Sequence, residues 1–419
     1  MPEKGKAEIW TVPVTVPVRK ESKQVSAKDG KNLEYVEPRF KPDDLLYFLD
    51  VNVWHKRCVF LKAAVTAGLG WQLVTDDQDK EPDADYKKIM ELLNQPNGNY
   101  SDTLTSLMIR FMIDYHALGN AWLEVPRRRT GEVAEIYHIP GKTMRRKSDF
   151  SGYKQVRTFK TQDFTVFGEP DENGMNEVLH LYNYDPGDDY YGVPDWLPAI
   201  ASMALDRTAV EYQTYLYDNQ LMATFAITIE GGELSRKARN QLTKFLQNNF
   251  TKIKNAGKAM VIAIDDPNVK IKIDKLDIDM KSDMTAKARE INRDEIVAAH
   301  GVPPRMVGIM AAGQLGGGGE ISGQLKTFKE TVVLPDQQRL ENMLNRTILA
   351  SFGEHKWKIK FTELDISDQI ADAEYYEKML NSGVLDADEV REELGKQPRE
   401  NPEQMVKMLE KVARVLDGY

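Results

Sequence analysis

Along this chain the spacing of apolar residues switches between a helical and a strand period several times. From Asp43 to Gly70 the apolar residues Val51, Trp54, Val59, Leu61 and Val65 recur at helical spacing, so one helix is expected there. Trp71–Val74 reads as a short strand, Asp76–Asp85 as an acidic loop and Tyr86–Leu93 as a helix. The clearest stripe follows: Leu104, Leu107, Met108, Phe111, Tyr115 and Leu118 fall on one helical face. Ser101 is the expected N-cap of this helix and Gly119 its closing residue. Ala121–Pro126 and Val133–Ile139 alternate like strands. The connection Arg127-Arg128-Arg129-Thr130-Gly131 makes them a hairpin, its arginines read as a solvated edge. Short strands and turns continue to Tyr184. The first 40 residues are polar, proline-bearing and aperiodic, and read as an arm.

Two long helices frame the middle of the chain. Asp195 and Pro198 suit the opening of the first, and Leu197, Ala201, Leu205, Ala209, Tyr212 and Leu216 line one stripe of it. The second, Ser282 to His300, is mostly charged, with Lys287, Arg289, Glu290, Arg293, Asp294 and Glu295. With so few apolar positions it can place only one face on a neighbour. His300, at its end before Gly301, reads as a capping side chain. Between the helices, residues 223–280 hold a helix (Ser235–Asn248) and three strands (Ala223–Glu230, Ala259–Ile264, Val269–Leu276), a compact α/β insert. After Pro303-Pro304 comes a loop with a run of four glycines, Gly316–Gly319, and the next helix is expected near Gln324. That helix runs to Ser351, and Pro335 should kink it. Lys356–Phe361 alternates as a strand. The tail is helical: Ser367–Leu380 stops at Gly383, Asp386 with Glu389 caps the next helix, Gly395 and Pro398 close it, and a last helix spans Pro402–Leu416.

Length and charge narrow the picture. At 419 residues, two or more domains are expected. No apolar run approaches the roughly 20 residues needed to cross a bilayer, and the first residues lack a signal-peptide pattern. Cys58 is the only cysteine, which excludes an intrachain disulfide or a thiolate metal cluster; it reads as a small buried hydrophobe. Of the formal net charge of −9, the stretch from Glu363 to Tyr419 carries −8, with 15 acidic and 7 basic residues. Bulk charge of this sign is no nucleic-acid footprint.

The glycine-rich loop is the first candidate for chemistry. A phosphate-binding loop needs Gly-x-x-x-x-Gly-Lys-[Ser/Thr]. Gly313 and Gly318 have that spacing, but Gly319 and Glu320 stand where the Lys and hydroxyl belong. Asn255-Ala256-Gly257-Lys258 ends in Ala259 and fails too. None of the six histidines forms a His-Glu-x-x-His or i, i+4 metal pair, and no Gly-x-Ser-x-Gly elbow is present. No catalytic residue, metal or cofactor is expected. A nucleotide-driven enzyme or motor subunit, and a ring-forming adaptor without a channel, remain the competing readings.

Four segments, in this order, resemble the portal proteins of tailed bacteriophages and prophages. They are Asp114-Tyr115-His116-Ala117-Leu118-Gly119-Asn120-Ala121-Trp122-Leu123-Glu124, Tyr191-Gly192-Val193-Pro194, Ala298-Ala299-His300-Gly301-Val302-Pro303-Pro304-Arg305-Met306-Val307-Gly308, and Leu380-Asn381-Ser382-Gly383-Val384-Leu385 with Glu389-Val390-Arg391 and Pro398. The resemblance implies an α+β portal fold. After an N-terminal arm (1–40) it would have a wing (41–190), stem helices (191–222 and 281–304), a clip (223–280) and a tunnel loop (305–323). The chain would return to the wing (324–362) and end in an acidic helical crown (363–419). It implies a ring, usually of twelve subunits, at one capsid vertex of the virion, assembled in the host cytoplasm. Double-stranded DNA would pass through it without sequence preference. Terminase large subunit, a head-completion or adaptor protein, and major capsid and scaffold proteins would be its partners, with no membrane. On that frame the tunnel loop would present Met310, Gln314, Leu315 and Gly316, Gly317, Gly318, Gly319, and the stem would turn Lys287, Arg289 and Arg293 to the channel. Lys237 and Arg239 would serve docking at the clip, and Leu205 and Tyr212 the subunit interface. A low-friction wall of mixed charge suits such a channel, because each neutralised phosphate would add to the grip on DNA.

Overall fold

The computed structural model describes residues 34–77, 81–169, 177–218, 225–230, 270–275, 282–309, 318–353, 356–366 and 369–393. They divide into two units by packing. The first comprises the described residues up to 309 together with Thr327–Leu364; the second comprises those from 318 to Lys326 and from Asp365 onward.

The first unit begins with β1 (Tyr35–Val36), so the N-terminal arm ends earlier than its composition suggests: Val36 is fully buried. The single helix expected from Asp43 is two, α1 (Pro42–Val51) and α2 (Val53–Ala67). Asn52 breaks them. Its backbone is extended, and its side-chain oxygen accepts the His55 N–H at 2.9 Å, capping α2. β2 (Trp71–Thr75) and α3 (Ala84–Asn94) follow. In α4 (Leu104–Leu118) the cap is Thr103, not Ser101. Thr103 and Ser106 exchange side-chain-to-backbone hydrogen bonds, and a reciprocal pair satisfies two of the first-turn N–H groups that a lone Ser101 cannot reach.

The strands β3 (Asn120–Glu124), β4 (Tyr137–Ile139), β5 (Met144–Lys147), β6 (Gly152–Arg157), β7 (Lys160–Val166) and β8 (Glu177–Tyr182) join β1 in one seven-stranded sheet. Its order is β1-β5-β6-β7-β8-β3-β4, antiparallel except where β7 meets β8. One face, with Leu123, Leu179 and Val125, packs with Phe111 and Met108 of α4 in the largest core. The other face buries Trp122, Tyr153, Phe164 and Val178 against Tyr191. The arginines do structural work here. Arg127 holds the buried Glu177 with two hydrogen bonds, Arg145 pairs with Glu37, and Arg146 lies over the rings of Phe150 and Tyr153.

Beyond the sheet, α5 (Ile200–Asp218) and α6 (Ser282–Ala299) are the two long helices. Of the insert between them, β9 (Phe225–Glu230) and β10 (Lys270–Lys275) are described, as an antiparallel pair. The next helix, α7 (Gly318–Phe328), starts six residues before Gln324 and takes Gly318 and Gly319 out of the expected loop. The leading N–H groups of a helix have no intrahelical acceptor, so its first turn has few hydrogen bonds for glycine's backbone freedom to weaken. The kink expected at Pro335 takes a specific form. Lys329–Val333 is a π turn, and Pro335 sits in the first turn of α8 (Leu334–Arg346). Proline has no N–H to give and its ring crowds the carbonyl four residues back, and the wider turn relieves both. β11 (Trp357–Phe361) pairs with β2.

In the second unit, α9 (Gln369–Ser382) is followed by Gly383 at φ 70° and then α10 (Ala387–Glu393). Asp386 accepts from the Glu389 N–H at 2.8 Å while Glu389 accepts from the Asp386 N–H at 2.9 Å, the capping pair read from the sequence. The final expected helix lies outside the described residues.

Candidate ring and channel surfaces

The roots of the long helices are set by backbone contacts. Gly119 closes α4 at φ 72°, and a Cβ there would lie 2.3 Å from the Val193 carbonyl carbon. Opposite it, a Cβ on Gly192 would lie 2.5 Å from the Gly119 oxygen. Only glycine fits either position. The Asn120 amide locks the two segments together: its Nδ2 donates to the Gly192 carbonyl at 2.7 Å and its Oδ1 accepts the Gly192 N–H at 2.9 Å. Two of the four segments that carry the family resemblance are therefore one joint, from which α5 departs.

A buried polar cluster surrounds that root. The His55 and His300 rings meet Nδ1 to Nε2 at 3.0 Å, and His55 tilts against Trp196 at 4.2 Å. His300 is thus a core residue rather than an exposed helix cap, 2% exposed. Burial, with the nearby Lys62 ammonium, lowers His55 to about 3; burial, with His55 and Lys62, lowers His300 to about 2. One neutral ring donates and the other accepts. Lys62 is buried, and its ammonium reaches Asp195 at 3.4 Å. His116 lies 3.5 Å from Asp336, but burial holds His116 neutral and pushes Asp336 up to about 6, so this contact is no ion pair at neutral pH. Cys58 is also buried, and burial raises its thiol to about 12, which fits an inert packing residue. Among the described residues no three His, Cys, Asp or Glu side chains converge as metal ligands. No helix among them is long and apolar enough to cross a membrane.

The stem residues separate by environment. On α5, Ala201, Leu205, Thr208 and Tyr212 are exposed at i, i+4, i+7 and i+11, with Leu205 at 60% and Tyr212 at 45%. The opposite face, with Met203 and Ala204, packs on α1, α2 and Ile296 of α6. On α6, Lys287 is exposed. Arg289 instead turns to α5, where its Nε donates to Asp206 at 2.9 Å, because a buried carboxylate needs a cation. Arg293 is held by Asp294 at 2.8 Å. Met310, Gln314, Leu315, Gly316 and Gly317 lie outside the described residues, as do Lys237 and Arg239. The His55–His300 contact joins positions 245 apart, and no local sequence signal announces it.

Solved structures share this architecture. A chain in the virion of a native gene transfer agent particle superposes with a TM-score of 0.60 and 22% identity, over 86% of this chain and 94% of that one. A chain in the neck of the native gene transfer agent particle, computed with C12 symmetry, gives 0.60 and 20% over 86% and 96%. These chains share the α+β fold with its paired long helices. In sequence, the probable portal protein of Escherichia phage P2 is 26% identical over 259 residues, 61% of this chain and 70% of that protein. An uncharacterized protein of Rickettsia bellii is 24% identical over 265 residues, 62% of this chain and 65% of that protein. The family described as phage portal protein matches residues 54–395, and the chain belongs to it. That family is structural rather than enzymatic.

Proposed function

We propose that this chain is the repeating subunit of a ring at one capsid vertex, through whose channel double-stranded DNA is packaged and ejected. The observation that carries the reading is the α5 stripe: in a chain of the portal family, Leu205 and Tyr212 stand exposed on a long helix whose other face is buried. Two large apolar side chains exposed two turns apart on one helix face are what a neighbouring subunit would cover. A ring of twelve follows by analogy with the C12 gene transfer agent neck. Lys287 on α6, Met310, Gln314, Leu315, Gly316 and Gly317, and Gly318 and Gly319 at the start of α7, would line the channel. The 223–280 insert, through Lys237 and Arg239, would dock terminase large subunit and afterwards a head-completion protein. Major capsid and scaffold proteins would bind the outer surface, and assembly would take place in the host cytoplasm.

Electron microscopy and native mass spectrometry of the purified chain test this reading. A ring with a central hole wide enough for duplex DNA is expected. A stable monomer at micromolar concentration would overturn it.

A further inference from the structure

Two exposed helix faces on this chain share an apolar spacing and differ in charge. On α2, Val53, Arg57, Phe60 and Ala64 are exposed at i, i+4, i+7 and i+11, the spacing seen on α5. Val53 is 74% exposed and Phe60 41%. Lys56 flanks the stripe, its ammonium 5.8 Å from the centre of the Phe60 ring. The helix contains no acidic residue. Arg57 has no ion-pair partner among the described residues, and Lys56 reaches only Asp50, at 4.0 Å. The stem face is the reverse. On α6, which packs along α5, Ile291 is 51% exposed; Glu290 and Glu295 are exposed near it, Asp294 is paired with Arg293, and Lys287 is exposed four residues before it. Glu290 has no ion-pair partner among the described residues.

We propose that these two faces are partners: the α2 face of one subunit seats on the α5–α6 face of a second copy of this chain. This rests on the ring reading and adds to it which surfaces meet. A closed ring is built from heterologous contacts, so every subunit must carry two different and complementary surfaces. The α2 face offers an aromatic and a valine flanked by the unpaired Arg57 and by Lys56, whose one contact is with Asp50 at 4.0 Å. The α5–α6 face offers a leucine, a tyrosine and an isoleucine with the carboxylates of Glu290 and Glu295, while Asp294 already holds Arg293. Apolar centres with opposite charges at the rim fix both register and polarity of assembly, because like faces repel. Two α2 faces or two stem faces brought together would place like charges side by side, which disfavours a closed dimer.

Charge exchange tests the pairing. The double substitution Lys56→Glu with Arg57→Glu should abolish the ring mass in native mass spectrometry, as should Glu290→Lys with Asp294→Lys. All four substitutions in one chain should restore it. Circular dichroism melts confirm that each variant is folded. Carbodiimide cross-linking of wild-type rings, which joins only touching amines and carboxylates, supplies a readout without mutation: Lys56 should link to Glu290, Asp294 or Glu295 of a neighbour. A ring that survives either double substitution, a four-fold variant that stays monomeric, or Lys56 links confined to Asp50 would each overturn the pairing. A wild-type chain that never forms rings would instead overturn the ring reading itself.

Discussion

His55 and His300 are neutral in the folded chain, at about 3 and 2, whereas in the unfolded chain both take up protons below about 6.5. Acid therefore favours unfolding. Asp336 acts in the opposite sense, because its folded value near 6 lies above its ordinary 3.8, so it gains stability as pH falls through that range. Burial lowers His116 and His180 as well, so four histidines outweigh one aspartate. Unfolding free energy should drop by several kcal/mol, on the order of 3–6, between pH 7 and pH 5. Urea titrations at both pH values check this, and a flat profile would contradict a neutral His55–His300 pair. The Gly119 position makes a second claim. With φ at 72° and the Val193 backbone within 2.3 Å of a Cβ, Gly119→Ala must displace the joint, at a cost of more than about 2 kcal/mol. Calorimetry measures it; a change below 0.5 kcal/mol, on the order of an ordinary surface substitution, would show that the segments can part.

The helix α5 separates folding from assembly. Leu205 and Tyr212 are exposed in the single chain, so Leu205→Asp with Tyr212→Asp should cost the folded subunit no more than about 1 kcal/mol. The same pair should abolish the ring mass in native mass spectrometry. Rings of normal mass would assign that face to solvent. The stripe was legible in the sequence because an amphipathic period needs no knowledge of partners. The Gly119 cap and the Asp386–Glu389 pair were legible for the same reason: each is settled by neighbours within four residues. Asn52 was not, since the apolar spacing continues across it and only a local hydrogen bond breaks the helix. Thr103 displaced Ser101 because its reciprocal bond with Ser106 satisfies one more group. The role of Arg289 was hidden as well. Its sequence neighbours are charged, and only the packing of α5 on α6 brings Asp206 to it.

For the assembled particle, the glycine run sets the largest test. Removing Gly316 and Gly317, just ahead of α7, should leave the ring mass unchanged and shorten the packaged or retained DNA. The length of DNA extracted from particles reads this directly, and full-length retained genomes would reduce the run to a passive connection. The tail, net −8 from Glu363 to Tyr419, would multiply around a ring into a field that repels the duplex. The glycine joint has a mechanical meaning in such a particle. A push along α5 arrives first at Gly192 and Asn183, which hang from Gly119 and Asn120 by backbone and amide hydrogen bonds of 2.7 to 2.9 Å. Glycine at 119 and 192, with the Asn120 amide bonded across them, holds the two strands of chain in direct contact. Displacement of the helix is passed to β3, which lies next to the edge strand β4, and the seven-stranded sheet becomes the foundation against which the helix thrusts.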